Sequence, residues 1–148
     1  MAAFNKFECF VADVGLKKHD LNADTLKVYL TNEQPTVGMT VYNANGDTDD
    51  GPEEILAENG YAAGGVDVEN TWSQTGGVGA LAVGADKVLT GTTADDATGF
   101  GPFQFAVLYN SSAAAKNLIG WWERAGVTTV MLDETIILDM TTNLFTLE

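Results

Sequence analysis

The sequence predicts a mainly β protein: an antiparallel β-sandwich or jelly-roll-like domain over residues 1–148, with an N-terminal helix and one short helix near 52–59. Three observations lead there. Short apolar-rich segments recur with turn signals roughly every 8–12 residues, for about eight to ten strands. Sixteen glycines against three prolines suit many tight turns. The stretch Gly101–Trp122, GPFQFAVLYNSSAAAKNLIGWW, reads as strand, loop, strand. Phe103, Phe105, Val107 and Tyr109 are expected on one face of its first strand, with Gln104, Ala106 and Leu108 on the other. Leu118, Ile119, Trp121 and Trp122 form the second apolar run.

The composition bounds the function. A chain of 148 residues with 45% hydrophobic residues can bury a core without disulfides or metals. Cys9, the one cysteine, lies in an apolar stretch and is expected to be a small structural side chain. The formal charge of −14 repels phosphate backbones and anionic membranes, so neither nucleic acid nor membrane is an expected partner. No window approaches the roughly 18 apolar residues of a membrane span, and MAAFNKFECF does not read as a secretory signal. Synthesis and assembly in a host cytoplasm are expected.

The elements follow in order. Phe4, Phe7, Val11 and Val14 recur at helical spacing, with Phe10 widening the stripe and Asn5, Lys6, Glu8 and Asp13 on the polar side. This predicts an amphipathic helix over 3–14, ended by Gly15 and the Lys17–Lys18 pair, and packed on its own domain or on a neighbouring subunit. His19, the one histidine, is expected in a solvent-facing loop. DTLKVYLT, residues 24–31, alternates as a half-buried strand with Leu26, Val28 and Leu30 on one side. A second short strand is expected at 39–44.

Residues 43–54, NANGDTDDGPEE, place Asn43, Asn45, Asp47, Asp49 and Glu54 at calcium-loop positions. Thr48 stands where the turn needs glycine and Asn43 where aspartate is usual, so a solvated acidic loop and no assigned metal site are expected, with a weak surface calcium site as the alternative. Pro52, Glu53 and Glu54 then suit a helix start, with Asn59-Gly60 as its stop. Strands are expected near 65–73 and over 79–90, and a polar loop at 92–102. Gly76-Gly77-Val78-Gly79 lacks the lysine and helix of a phosphate-cradling loop. Glu123–Gly126 is expected as a turn, followed by extended runs at 127–132, 135–140 and 143–147.

Catalytic chemistry is not legible. One histidine beside two lysines makes no nucleophile–base–acid set, and one cysteine with one histidine does not suit zinc. Among twenty-one acids, no pair is singled out for glycoside cleavage. No enzyme activity and no cofactor are expected. Trp72, Trp121 and Trp122 offer a sugar-stacking platform as an alternative. Adjacent tryptophans on a strand point to opposite faces, so at most one of Trp121 and Trp122 is expected in the core; the other meets solvent, a partner or an edge loop.

Two segments carry a resemblance. MAAFNKFECFVADVG…HDLNADTLKVYLTNEQP and GPFQFAVLYN…LIGWWERAGVTTVMLDETIILDM together resemble small virion proteins of tailed bacteriophages. In that family an AFNKF-type helix leads to a DTLKV strand ending LTN. A GPF-x-x-AVLYN strand pairs with a run such as LIGWW, and a hairpin ending in a Thr-Ile or Thr-Phe strand follows. The resemblance covers about half the chain, and 43–100 is where members vary. It implies a β-sandwich with a structural role. The charge disfavours a site lining packaged DNA, so the expected role is a capsid decoration (cement) protein on the head exterior, a homotrimer bridging major capsid protein subunits. Phe4, Phe7, Phe10 and one of Trp121 or Trp122 are the expected contact residues. A tail or fibre component is the alternative within the class, and a carbohydrate-binding module the alternative outside it.

Overall fold

The computed structural model describes residues 3–92 and 99–140 and the backbone of 143–147. The elements are β1 (Phe4–Lys6), α1 (Glu8–Gly15), β2 (Leu26–Thr31), β3 (Val66–Val68), β4 (Asn70–Thr75), β5 (Val78–Val83), β6 (Lys87–Thr90), β7 (Phe100–Asn110), β8 (Leu118–Val130), β9 (Thr135–Leu138) and β10 (Asn143–Leu147). Five strands form a central antiparallel sheet in the order β1-β8-β7-β2-β3. A three-stranded sheet, β10-β5-β4, and a two-stranded ribbon, β6-β9, complete the antiparallel, sandwich-like arrangement. Of the polar loop expected at 92–102, residues 93–98 lie outside the described residues.

The β7–β8 hairpin anchors the sheet, as the aromatic run predicts, and both of its faces are buried. On one face, Phe7, Tyr29, Tyr42, Phe105, Val107, Tyr109, Leu118 and Trp121 pack together. On the other, Leu26, Val28, Leu108, Ile119 and Trp122 meet Leu81 and Val83 of the three-stranded sheet. Farther along that second face, Leu30, Phe100 and Phe103 meet Leu89 of the ribbon. Phe103 therefore leaves the face expected for it and joins the opposite layer.

The β7–β8 register explains the change. Phe105 pairs with Glu123 but Phe103 with Thr128, so a two-residue step on β7 faces a five-residue step on β8. The residues expected as a turn, Glu123–Gly126, instead form a bulge within one long strand, with Gly126 at φ 143°. Extra residues on one strand bend it and increase its twist.

Five further expectations are corrected. The helix expected over 3–14 is shorter: residues 4–6 pair with β8, Phe4 opposite Trp122, and the helix covers only Glu8–Gly15. Its expected polar side is also wrong at Asp13, which is buried, while Val11 is 61% exposed. Asp13 can be inside because Lys18 pairs with it at 2.8 Å and the Asn117 amide donates to it at 2.8 Å. The helix does end near Gly15, with Lys17 left-handed at φ 58°.

No helix forms at 52–59. The amide of Glu54 donates to the Asn43 carbonyl and that of Ile55 to the Leu30 carbonyl, so this backbone pairs with neighbouring segments. The strand expected at 39–44 is reduced to isolated bridges, Val41 to Asn117 and Asn43 to Glu53. β2 is buried on both sides, not half-buried. Its polar side is tolerated because the Tyr29 hydroxyl donates to Pro52 O and the Thr31 hydroxyl to Glu53 O.

Candidate functional site

The contact residues expected from the sequence lie mainly inside the chain. Phe7 and Phe10 are 1% and 0% exposed, and Phe4 is half-buried with its ring 5.0 Å from that of Trp122. Trp121 and Trp122 do point to opposite faces, as alternation requires, yet both are buried, at 7% and 8% exposure. The expectation that at most one of them lies in the core is corrected, because the sheet is covered on both sides. The Phe7 and Trp121 rings pack at a tilt with centroids 4.5 Å apart. The sugar-stacking platform loses two of its three tryptophans for the same reason. Trp72 is half-buried and lies against Gly79, where a Cβ would meet its ring.

His19 is not in solvent. It is 8% exposed, with its ring 5.4 Å from Phe10. The Asn110 side-chain oxygen accepts the amides of Ser112 and Ala113, which fixes its NH₂ group toward Asp24 Oδ2 at 2.6 Å and His19 Nδ1 at 3.1 Å. Nδ1 is thus an acceptor, and the neutral ring carries its proton on Nε2. Burial pushes the imidazole pKa below its ordinary value, against the opposing effect of Asp13 and Asp24.

Cys9 is half-buried, and its thiol faces the carbonyls of Met39, Thr40 and Leu118 at 3.6–3.7 Å. Burial, with Asp13 adding to it, raises its pKa to about 11, which suits a structural side chain and not a nucleophile.

The acidic loop is only partly solvated. Asn43 is buried and bonds Gly51 O, Asn45 bonds Glu54 O, and the Gly46 amide is held by Glu53. Glu54 turns inward and is 2% exposed. Its carboxylate accepts the hydroxyls of Tyr42 at 2.5 Å and Tyr61 at 2.7 Å, and the Gly64 amide at 2.8 Å. Tyr109 donates to Gly64 O, and the Tyr29 ring meets those of Tyr42 and Tyr109 edge-on.

Two of the chain's four tyrosines thus bond one buried carboxylate, and the other two, Tyr29 and Tyr109, pack their rings on Tyr42. Gly65, at φ 72°, lets this segment run against β2, where a Cβ would lie 2.0 Å from Val28 O. Burial raises the pKa of every one of the four, with the Glu54 charge adding to it; Tyr109 reaches about 12. The cluster is a satisfied polar core that fixes loop 43–65 to the sheet. Nothing in the sequence pattern announces it, because the glutamate and the tyrosines share no spacing.

The surface offers a different feature. A cleft of about 560 Å³ opens between β7–β8 and β9. Its floor is apolar, with Val28, Leu30, Ala106, Trp122, Leu138 and Met140, and its rim carries Gln104, Glu123, Arg124 and Asp139. Gln104 donates to Glu123 at 3.1 Å. Arg124, the one arginine in the chain, is exposed on the bulge and pairs with no carboxylate among the described residues. The indole nitrogen of Trp122 is buried without an acceptor among the described residues. A bulge beside a strand edge re-aims side chains, which is why Arg124 stands over the cleft mouth.

Beside the cleft, the β6–β9 ribbon turns Leu89, Ile136 and Leu138 inward and leaves Val88 and Ile137 outside, directly opposite each other and 59% and 58% exposed. Among the described residues no group of three or more His, Cys, Asp or Glu could hold a metal ion, and no helix is long and apolar enough to cross a membrane. No protein family, no curated protein and no solved structure matches the chain.

Proposed function

We propose that the protein is a structural component of a tailed-phage virion, a decoration protein that binds the head exterior and stabilises major capsid subunits, associating as a closed trimer. The observation that carries this reading is where the two resembling segments fold. β1 and β2 come from the first segment and β7 and β8 from the second, and they lie side by side in one sheet although some seventy residues separate them. The variable middle adds β3 at the sheet's edge together with β4, β5 and β6.

The charge of −14 supports a place away from packaged DNA. The buried aromatic residues supply a rigid framework, and the exposed Val88–Ile137 pair supplies apolar area for a subunit contact. Contacts repeated over a shell raise the effective concentration of each next one, so modest single affinities suffice.

Purified protein added to undecorated heads is expected to bind at micromolar concentration and to raise the temperature at which they rupture. No binding at that concentration overturns the proposal; binding only to tails moves it to the tail.

A further inference from the structure

We infer that a hollow between the loop after α1 and strand β4 is a binding site for an uncharged saccharide of one or two rings. Its volume is about 480 Å³, within the range of small-ligand sites. One wall comes from residues between Val14 and Asn22, and the other is Trp72 of β4.

The chain's own bonds hold the two walls together. Asn70, two residues before Trp72, donates from its side chain to Leu21 O at 2.7 Å and to Asp24 O at 3.2 Å. Asp20 Oδ1 accepts the amides of Asn22 and Ala23, and Asp24 Oδ2 accepts the amide of Asp20 at 2.8 Å. The Trp72 ring fills the space where a Gly79 Cβ would lie, which fixes its place on the sheet. A site formed before its ligand arrives binds with little ordering cost.

His19 supplies the independent sign of a ligand. It is 8% exposed and lines the hollow. Its Nδ1 accepts from Asn110 and its ring packs on Phe10, so the edge left toward the hollow carries Nε2. That Nε2–H is buried without an acceptor among the described residues. Buried donors are ordinarily satisfied, and the cost of leaving this one bare is recovered when a ligand oxygen accepts from it.

The hollow also stands apart from the segments outside the described residues. His19 is bonded at the Asn110 end of β7. Asn59 holds both flanks of 93–98, accepting from the Thr92 amide and donating to Gly99 O, next to Phe100 at the other end of that strand. The strand's length puts roughly 30 Å between the two ends. β5 separates β4 from β10.

The chemistry of the lining selects the occupant. Lys17 and Asp20 balance each other and the imidazole is neutral, so neither an anion nor a cation is favoured. The polar groups are mixed: Lys17 and His19 donate, Asp20 accepts, and the Asn22 carboxamide does both. Lys17 and Asn22 are exposed, and their side chains bond nothing else among the described residues. Sugar hydroxyls donate and accept alike, and the C–H groups of a pyranose pack on apolar surface, here Trp72, Val14 and Leu21. A wholly apolar ligand would strand the polar groups, and a phosphate would face Asp20.

The test is a titration of the full chain at about pH 8 with the methyl pyranosides of glucose, galactose and mannose and with N-acetylglucosamine, each to about 100 mM. His19 is the one histidine, so its ring protons give a unique NMR signal at the site, and the half-buried Trp72 gives an indole signal beside it. At least one sugar is expected to move both signals saturably, with a dissociation constant below about 10 mM. Asn22→Ala is expected to weaken that binding at least about fivefold while leaving the circular dichroism unchanged. Inorganic phosphate at matched ionic strength is expected to leave the His19 signal in place.

Silence of both signals with all four sugars, full affinity in Asn22→Ala, or a His19 signal that follows phosphate would each overturn the inference. No particle enters this assay, so a negative result leaves the virion proposal standing, and failure on heads leaves this site standing.

Discussion

Raising the pH should unfold this protein through its tyrosines, all of them at once. Tyr29, Tyr42, Tyr61 and Tyr109 are 0–7% exposed; Tyr42 and Tyr61 bond the Glu54 carboxylate, and Tyr29 and Tyr109 pack on Tyr42. Burial, and then the nearby negative charge, holds each phenol protonated above its ordinary range. Below about pH 10 both the folded and unfolded states keep these protons, and the cluster's contribution is fully present. Above it the unfolded chain ionises and the folded chain does not, so stability falls as pH rises; for Tyr109 the window closes at about 12.

At pH 11 the loss is about 3 kcal/mol if solvent screens Tyr42 and Tyr109 completely, and about 6 if it screens neither. Against a typical total of about 5–15 kcal/mol, that places cooperative unfolding near pH 11–12. Urea unfolding by circular dichroism at stepped pH, with tyrosinate absorbance at each step, measures both quantities. The reasoning is refuted if phenolate appears one residue at a time near pH 10 while the fold persists.

Other substitutions and conditions follow from the same contacts. Glu54→Ala leaves two phenol hydroxyls and the Gly64 amide without their shared acceptor, and urea unfolding is expected to show a loss of about 3–5 kcal/mol; a loss under about 1 would contradict the cluster's role. Glu54→Gln keeps one acceptor oxygen and is expected to cost about 1–2 kcal/mol in the same experiment.

Cys9, with its thiol raised to about 11, should react with a thiol reagent at pH 8 about a hundredfold more slowly in the native protein than in urea; equal rates would show an open site. His19 is the one histidine and is buried neutral, so the unfolded state takes up its proton first as pH falls below about 6.5. Stability should therefore decline as pH falls below about 6.5, with a slope of at most about 1.4 kcal/mol per unit, and His19→Gln should remove that slope.

Local periodicity made the hairpin legible: Phe105, Val107 and Tyr109 share a face because the strand alternates, and so do Leu26, Val28 and Leu30. Long-range coverage was not legible. A polar residue such as Tyr29 or Thr31 reads as outward-facing until a distant segment brings carbonyls to its hydroxyl. The same holds for Asp13, which is buried because Asn117 and Lys18 satisfy it, and for Trp121 and Trp122, whose two faces are filled from opposite layers.

Turn-like residues misled twice. Glu123–Gly126 continues a strand as a bulge, and Pro52–Glu54 ends its backbone hydrogen bonds on neighbouring segments instead of on itself. Of the candidate site, Arg124 could be noticed as the one arginine, but the cleft it overlooks exists only once β9 is placed opposite the bulge.

A reconstruction of the virion that resolves side chains tests the central claim most directly. The account predicts density for this chain on the outer surface of the head, at points where capsid subunits meet, with Phe7, Phe10, Trp121 and Trp122 enclosed inside each copy. Particles that lack the chain, or that carry it within the head against DNA, would contradict it.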